Sequence, residues 1–312
     1  MKKKFLLLGS LLIGLIILNL TQFSTNWEML SILVPNFRLP RLIFLLAAGV
    51  SLSISGLIIQ TVTENPLADS STIGITSGAS AGAVIFLLLS NHLHLSGNWN
   101  FAYPFFAFAG AILSFILIYL LALRKNASNI RILLTGIAIT ALFQSIITIA
   151  QLSINQFDFQ QVAVWLTGEV WQTDSSYLIS VLSLLLITLI MLPLFIKPME
   201  VLSLGENLAT NLGLHVRKTK IGLYILALVF AAIGVLLVGG LSFIGLIAPH
   251  IARELAGFKL KNRVAMTLLT SMIILVFADI ISQTIIAPSS LPLGFVVAFI
   301  GAPYYIYLIQ KI

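Results

Sequence analysis

The sequence predicts an all-α membrane protein of about ten transmembrane helices with both termini cytoplasmic, and three observations predict it. Of 312 residues, 59% are apolar, and there are 17 basic and 10 acidic side chains, where a soluble chain of this length would carry roughly 75–80 charges. Ten apolar segments run approximately 5–20, 42–62, 73–90, 102–122, 132–150, 177–196, 221–238, 241–256, 264–283 and 293–309. Spans of about 20 residues would use roughly 200 positions and leave about 110 for loops. Alternating from a cytoplasmic start, the inner loops and termini, with Arg253 at the inner end of the eighth segment, hold every Lys and Arg except Arg38 and Arg41. That asymmetry follows the positive-inside rule, and an odd span count would scramble it. No internal repeat, low-complexity tract or linker divides the chain, so residues 1–312 are read as one membrane domain in the cell membrane.

The first segment follows Lys2-Lys3-Lys4. A signal peptide shares that form, but Thr21-Gln22-Phe23-Ser24 is no small-x-small cleavage site, so an uncleaved first helix is expected. Between the second and third spans, Asn65-Pro66 signals a turn, and Asp69 and Ser70 offer N-cap oxygens for the next helix. In the third span Gly74, Gly78 and Gly82 recur at one-turn spacing, which lines one face with glycine and admits a close neighbour. Gly78-Ala-Ser80-Ala-Gly82 also matches the G-x-S-x-G nucleophile pattern, but that motif needs a strand-to-helix turn and a histidine partner, so packing is the preferred reading.

Gln144 adds polarity to the fifth span without charge, and 132–150 with the following segment 151–176 is a candidate path lining. After the sixth span, Ser203 and Glu206 read as a capping box starting a short helix in the longest inner loop. Leu208 and Leu212 share one face and Gly213 is placed to end it. That leucine face could lie on lipid headgroups or dock a cytoplasmic partner; the local pattern leaves both open. Gly239-Gly240 interrupts the pattern before the short eighth span near 241–256, which holds Gly245, Pro249 and His250. Either a tight hairpin with a proline kink or a broken helix lining a cavity fits. Asp279 is the one carboxylate clearly inside a span, and pairing with a neighbouring helix is the commoner outcome for such a group.

Several classes fall away. The charge placement is that of a membrane protein, so +7 is no nucleic-acid footprint, and no nucleic-acid partner is expected. Without cysteine there is no disulfide, thiolate chemistry or cysteine-ligated metal. His92, His94, His215 and His250 form no metal-ligand spacing with carboxylates, and no metal site is expected. No Gly-Lys dipeptide occurs, hence no phosphate loop: the chain cannot hydrolyse ATP itself and is not read as an enzyme.

Six blocks carry a resemblance. Arg38-Leu39-Pro40-Arg41-Leu42, Asn65-Pro66-Leu67-Ala68-Asp69, Gly74-Ile75-Thr76-Ser77-Gly78-Ala79, Leu202-Ser203-Leu204-Gly205-Glu206, Phe243 through Arg253, and Leu291-Pro292-Leu293-Gly294 with Gly301-Ala302-Pro303 stand in the order of the permeases of iron–siderophore/haem/cobalamin ABC importers. The chain resembles that family over roughly residues 35–310. The resemblance implies a ten-helix subunit paired with an identical or paralogous permease, two cytoplasmic ATPase subunits binding ATP and Mg, and an extracytoplasmic substrate-binding protein. It implies that the loop carrying Ser203, Leu204, Gly205, Glu206, Leu208, Leu212 and Gly213 couples to the ATPase, which decides the choice left open above. It implies that Arg38 and Arg41 meet acidic residues of the binding protein. Many relatives carry a third outward arginine where this chain has Gln283. The cargo expected is a chelated iron compound, a ferric siderophore first, with haem or cobalamin as alternatives. An ion-coupled secondary carrier is the runner-up, resting on Asp279 alone.

Overall fold

The computed structural model describes residues 2–22, 27–92, 102–122, 129–153, 156–170, 175–257 and 259–311. Among them lie thirteen α-helices: α1 Lys2–Thr21, α2 Trp27–Leu33, α3 Leu39–Thr63, α4 Ile75–His92, α5 Ala102–Leu121, α6 Asn129–Leu152, α7 Gln156–Leu166, α8 Ser175–Leu202, α9 Glu206–Asn211, α10 Val216–Val238, α11 Ile244–Ala256, α12 Leu260–Thr284 and α13 Leu293–Lys311. Each of the ten apolar segments is a helix (α1, α3 to α6, α8, and α10 to α13). Seven helices are long and apolar enough to cross a membrane on length and composition, and the apolar stretches of α4 and α5 are shorter. His94, Arg124 and Lys125 lie outside the described residues.

Two helices form the centre. The apolar windows of α3 and α10 are 89% and 78% buried, against 11% for α1, 28% for α6 and 22% for α8. Serines and glycines allow this central contact. Ser55 Oγ donates to the Ala227 carbonyl across the α3–α10 crossing at 2.8 Å, and a Cβ at Gly234 would overlap the Leu52 side chain. Ser53 and Ser271 join α3 to α12 at 3.1 Å, and the Tyr177 hydroxyl joins α8 to the Leu236 carbonyl at 2.9 Å. The peripheral helices leave their apolar flanks bare, as a surface solvated by hydrocarbon allows. Lys4 Nζ donates to the Leu255 carbonyl at 3.2 Å, so the α1 N-terminus and the α11 C-terminus share one face of the bundle. Arg253, Lys259, Lys261 and Arg263 belong to that basic face.

Four features depart from the sequence expectation. Helical structure begins at Trp27 and continues into α3 through a π turn, Val34–Arg38, closed by the Leu39 N–H on the Val34 carbonyl. The wider turn admits Pro35 and Pro40, which lack an N–H to give. The helix α7 was not anticipated; it is anchored by the buried Trp165. Asp69 caps no long helix: its Oδ1 accepts from Thr72 N–H at 2.8 Å and Ser71 Oγ at 2.7 Å, closing a turn before Gly74 (φ 87°), and α4 starts at Ile75.

The fourth departure is the depth of that turn. A Cβ at Gly136 would crowd the Ile73 backbone, Thr140 Oγ1 donates to the Ser71 carbonyl at 3.1 Å, and Ser114 Oγ donates to the Gly74 carbonyl at 2.8 Å. Gly136 and Thr140 lie about two and three turns into α6. Residues 68–74 are therefore tucked into the bundle, where irregular backbone is tolerated because side chains satisfy it.

Candidate functional site

Three regions carry the residues that the sequence singled out. On the face opposite Lys2–Lys4, Arg41 is clamped by the protein itself. Its Nε donates to Asp279 Oδ1 at 2.9 Å and its Nη2 to Glu169 Oε1 at 2.7 Å. Asp279, with no exposed surface, also accepts from Asn19 Nδ2 at 2.8 Å and Gln283 Nε2 at 2.6 Å. Glu169 Oε2 accepts the Leu293 N–H at 3.0 Å. One cation thus meets two carboxylates, and the cluster ties α1, α3, α12, the segment after α7 and the start of α13. Arg41 is a partly buried internal counter-ion rather than a free outward charge. Arg38 donates to the Leu20 carbonyl at 2.6 Å, with no carboxylate paired to it among the described residues. Gln283, at the position where an arginine was looked for, holds Asp279 and receives Gln22 Nε2 at 2.8 Å. Sequence reading missed Asn19 and Glu169. The available signal was charge balance: Arg38 and Arg41 are the basic residues placed on the outer face, and carboxylates such as Glu169 share it.

At mid-depth the glycines set how closely helices approach. A Cβ at Gly78 would strike the Gly110 carbonyl and Ser114, and one at Gly82 the Phe106 carbonyl, so α4 and α5 cross backbone to backbone. Gly74 lies just before α4 and faces α6 instead. Gly245 lies against α3: a Cβ at Gly56 would overlap its backbone. The break between α10 and α11 spans residues 239–243, with Gly239 and Phe243 both at φ 69°. Pro249 is buried within α11, whose carbonyls receive donors from neighbours, Gln60 Nε2 on Leu246 at 3.1 Å and Thr270 Oγ1 on Ala248 at 3.2 Å. Gln144 is exposed on α6, one turn before exposed Thr148.

On the basic face, α9 starts later than the sequence implied. The expected Ser203–Glu206 capping box is not formed. Ser203 Oγ turns back to the Glu200 carbonyl at 2.7 Å, Gly205 at φ 97° is the N-cap, and Glu206 forms an ion pair with Lys220 of α10. A lysine one helix away outcompetes the local backbone for the carboxylate, because charge-assisted pairing is the stronger bond. The C-terminus is as the glycine required: Gly213 sits at φ 84° and the Leu214 N–H returns to the Ala209 carbonyl at 3.0 Å. Ala209 is buried, while Leu204, Leu208 and Leu212 are 57%, 56% and 66% exposed.

The chemistry available is recognition and movement. Ser80 lies inside α4, not on a strand-to-helix turn. Among the described residues no three His, Asp or Glu side chains converge as metal ligands. Helices packed through bare backbone, a chain reversal at Gly239–Phe243 that leads from the spanning helix α10 into the short helix α11, and an exposed leucine face on the basic side are the architecture of a polytopic membrane protein. Residues 4–311 match the FecCD transport family, and the chain belongs to that family. It is 37% identical over 277 residues to the iron(3+)-hydroxamate import system permease protein FhuG of Bacillus subtilis, covering 88% of this chain and 82% of that one. It is 33% identical over 292 residues to the Fe(3+) dicitrate transport system permease protein FecD of Escherichia coli, covering 94% and 89%. A solved metal-chelate type ABC transporter in an inward-facing conformation shares the fold, with a TM-score of 0.85, 23% identity and coverage of 100% of this chain and 99% of that one.

Proposed function

We propose that this chain is the membrane-spanning subunit of an ATP-driven importer of chelated iron, with a ferric siderophore as cargo. The relatives named above import iron in hydroxamate or dicitrate complexes, which favours such a chelate over haem or cobalamin. The observation that carries the mechanism is the solvent-facing leucine surface of α9, braced by the Glu206–Lys220 pair. Leu208 and Leu212, exposed beside basic loops, are a handle for a protein partner. Two ATPase subunits holding ATP and Mg would grip this handle on each of two permease copies, and nucleotide closure would rock the copies between outward- and inward-open states. Gln144 and Thr148 on α6, polar and exposed within an apolar span, suit a wet path better than lipid. Both termini are then cytoplasmic, a reading that the basic face supports. A metal already held by its chelator needs no ligands from the path.

Leu208→Asp with Leu212→Asp is expected to lower ATP-driven uptake of a labelled ferric siderophore by about tenfold or more, since a few central apolar anchors dominate such interfaces. Membrane insertion and melting temperature should be preserved. Normal uptake by this variant, or cargo accumulation in vesicles lacking any ATPase, overturns the reading.

An extracytoplasmic binding protein would dock on the opposite face, and Arg38 is the residue that tests it. Arg38→Glu should weaken stimulation of ATPase activity by the binding protein about threefold to tenfold at low salt, with the difference shrinking as salt screens it. Stimulation equal to wild type at low salt removes Arg38 from docking.

A further inference from the structure

The end of α11 and the start of α12 gather cations that transport, as argued above, leaves without a task. Arg253, Lys259 and Arg263 line a cavity of about 1000 Å³ whose walls include Val201, Leu204 and Leu308. Arg253 and Arg263 also border a second space of about 200 Å³ beside Gln60 and Thr61, so the two guanidinium groups stand between the two volumes. They act on each other as like charges. Neither has a carboxylate within 4 Å among the described residues, and the Nε of Arg263 is buried without an acceptor. Two neighbouring guanidinium groups, one with an unsatisfied buried donor, constitute a site for an anion.

The walls say which anion. A free phosphate or a single carboxylate would leave Val201, Leu204 and Leu308 unused and most of the volume empty. Arg263 stands in the first turn of a spanning helix and Arg253 in the last turn of α11, the depth at which basic side chains meet lipid headgroups. Glu200 and Glu254 also border the cavity; they disfavour a polyanion and can accept hydrogen bonds from headgroup hydroxyls. We propose that this cavity binds an anionic phospholipid of the phosphatidylglycerol kind. Its phosphodiester lies between Arg253 and Arg263, its glycerol hydroxyls face the carboxylates, and its acyl chains leave along the apolar wall.

The test uses the full chain, delipidated in detergent and titrated with phosphatidylglycerol, phosphatidylcholine or inorganic phosphate under native mass spectrometry. Wild type should retain phosphatidylglycerol at least about tenfold more tightly than phosphatidylcholine. Arg253→Gln with Arg263→Gln should lose that preference, while Lys2→Gln with Lys3→Gln, removing equal charge from the same face, should keep it. Arg253→Lys with Arg263→Lys should retain part of it, which separates charge from misfolding. Equal retention by wild type and the double glutamine variant overturns the proposal. So does an equal loss in the Lys2/Lys3 variant, or displacement of the lipid by millimolar inorganic phosphate. The readout needs neither ATPase nor cargo, so its failure is distinct from failure of the importer reading.

Discussion

Arg41→Met is expected to destabilise the folded permease by about 3–5 kcal/mol, seen as a large fall in the melting temperature of the detergent-purified protein. The guanidinium is the counter-ion of Asp279, which has no exposed surface, and removing one partner of a buried pair leaves an uncompensated charge. Asn19 and Gln283 would still donate to Asp279, yet neither carries charge. The corollary is a rescue. Arg41→Met combined with Asp279→Asn and Glu169→Gln removes all three charges together and should recover most of the lost melting temperature, because a neutral buried cluster carries no ionic desolvation penalty. If Arg41→Met melts like wild type, the cluster is not a stabilising element. The geometry also separates two roles that the sequence had merged. A reversal at Arg41 would put a third carboxylate beside two others and damage the fold before it reported on docking.

Much of the architecture was legible because hydrocarbon is a demanding solvent. Long apolar segments suit it, so the ten segments announced themselves as helices, although seven are long and apolar enough to span and α11 is short, and the basic residues marked one face. Gly78 and Gly82 were legible because one-turn spacing projects both to the same neighbour. What escaped were choices between a local and a distant partner. Glu206 looked like a capping residue for its own helix, but Lys220 took it; Asp69 looked like a helix cap, but it closes a turn tucked against α6. Arg41 finds Glu169 and Asp279, 128 and 238 residues away, and no spacing rule reaches so far. The depth of the turn after Asn65-Pro66 escaped for the same reason: the Ser71 and Gly74 carbonyls are satisfied by Thr140 and Ser114, which the local sequence cannot announce.

Gly56→Ala is expected to be among the most damaging single-methyl additions in the chain. Its Cβ would overlap the Gly245 backbone, so α3 and α11 would have to move apart. Overpacking commonly destabilises by about 1–3 kcal/mol when side chains can shift, and here none is available to shift, so about 3 kcal/mol or more is expected. Two comparisons make the argument testable by melting temperature and monodispersity. Gly14→Ala in α1, where nothing lies within 4 Å, should change neither. Gly234→Ala meets the Leu52 side chain instead of backbone, so trimming Leu52 to alanine should relieve its clash. No trimming can relieve Gly56→Ala, because Gly245 is already the smallest residue. A wild-type melting temperature for Gly56→Ala would show that the two helices slide freely there. The expected fall instead marks the α3–α11 contact as one that cannot loosen, so rocking between outward and inward states would hinge elsewhere, at the Gly239–Phe243 bend or between permease copies.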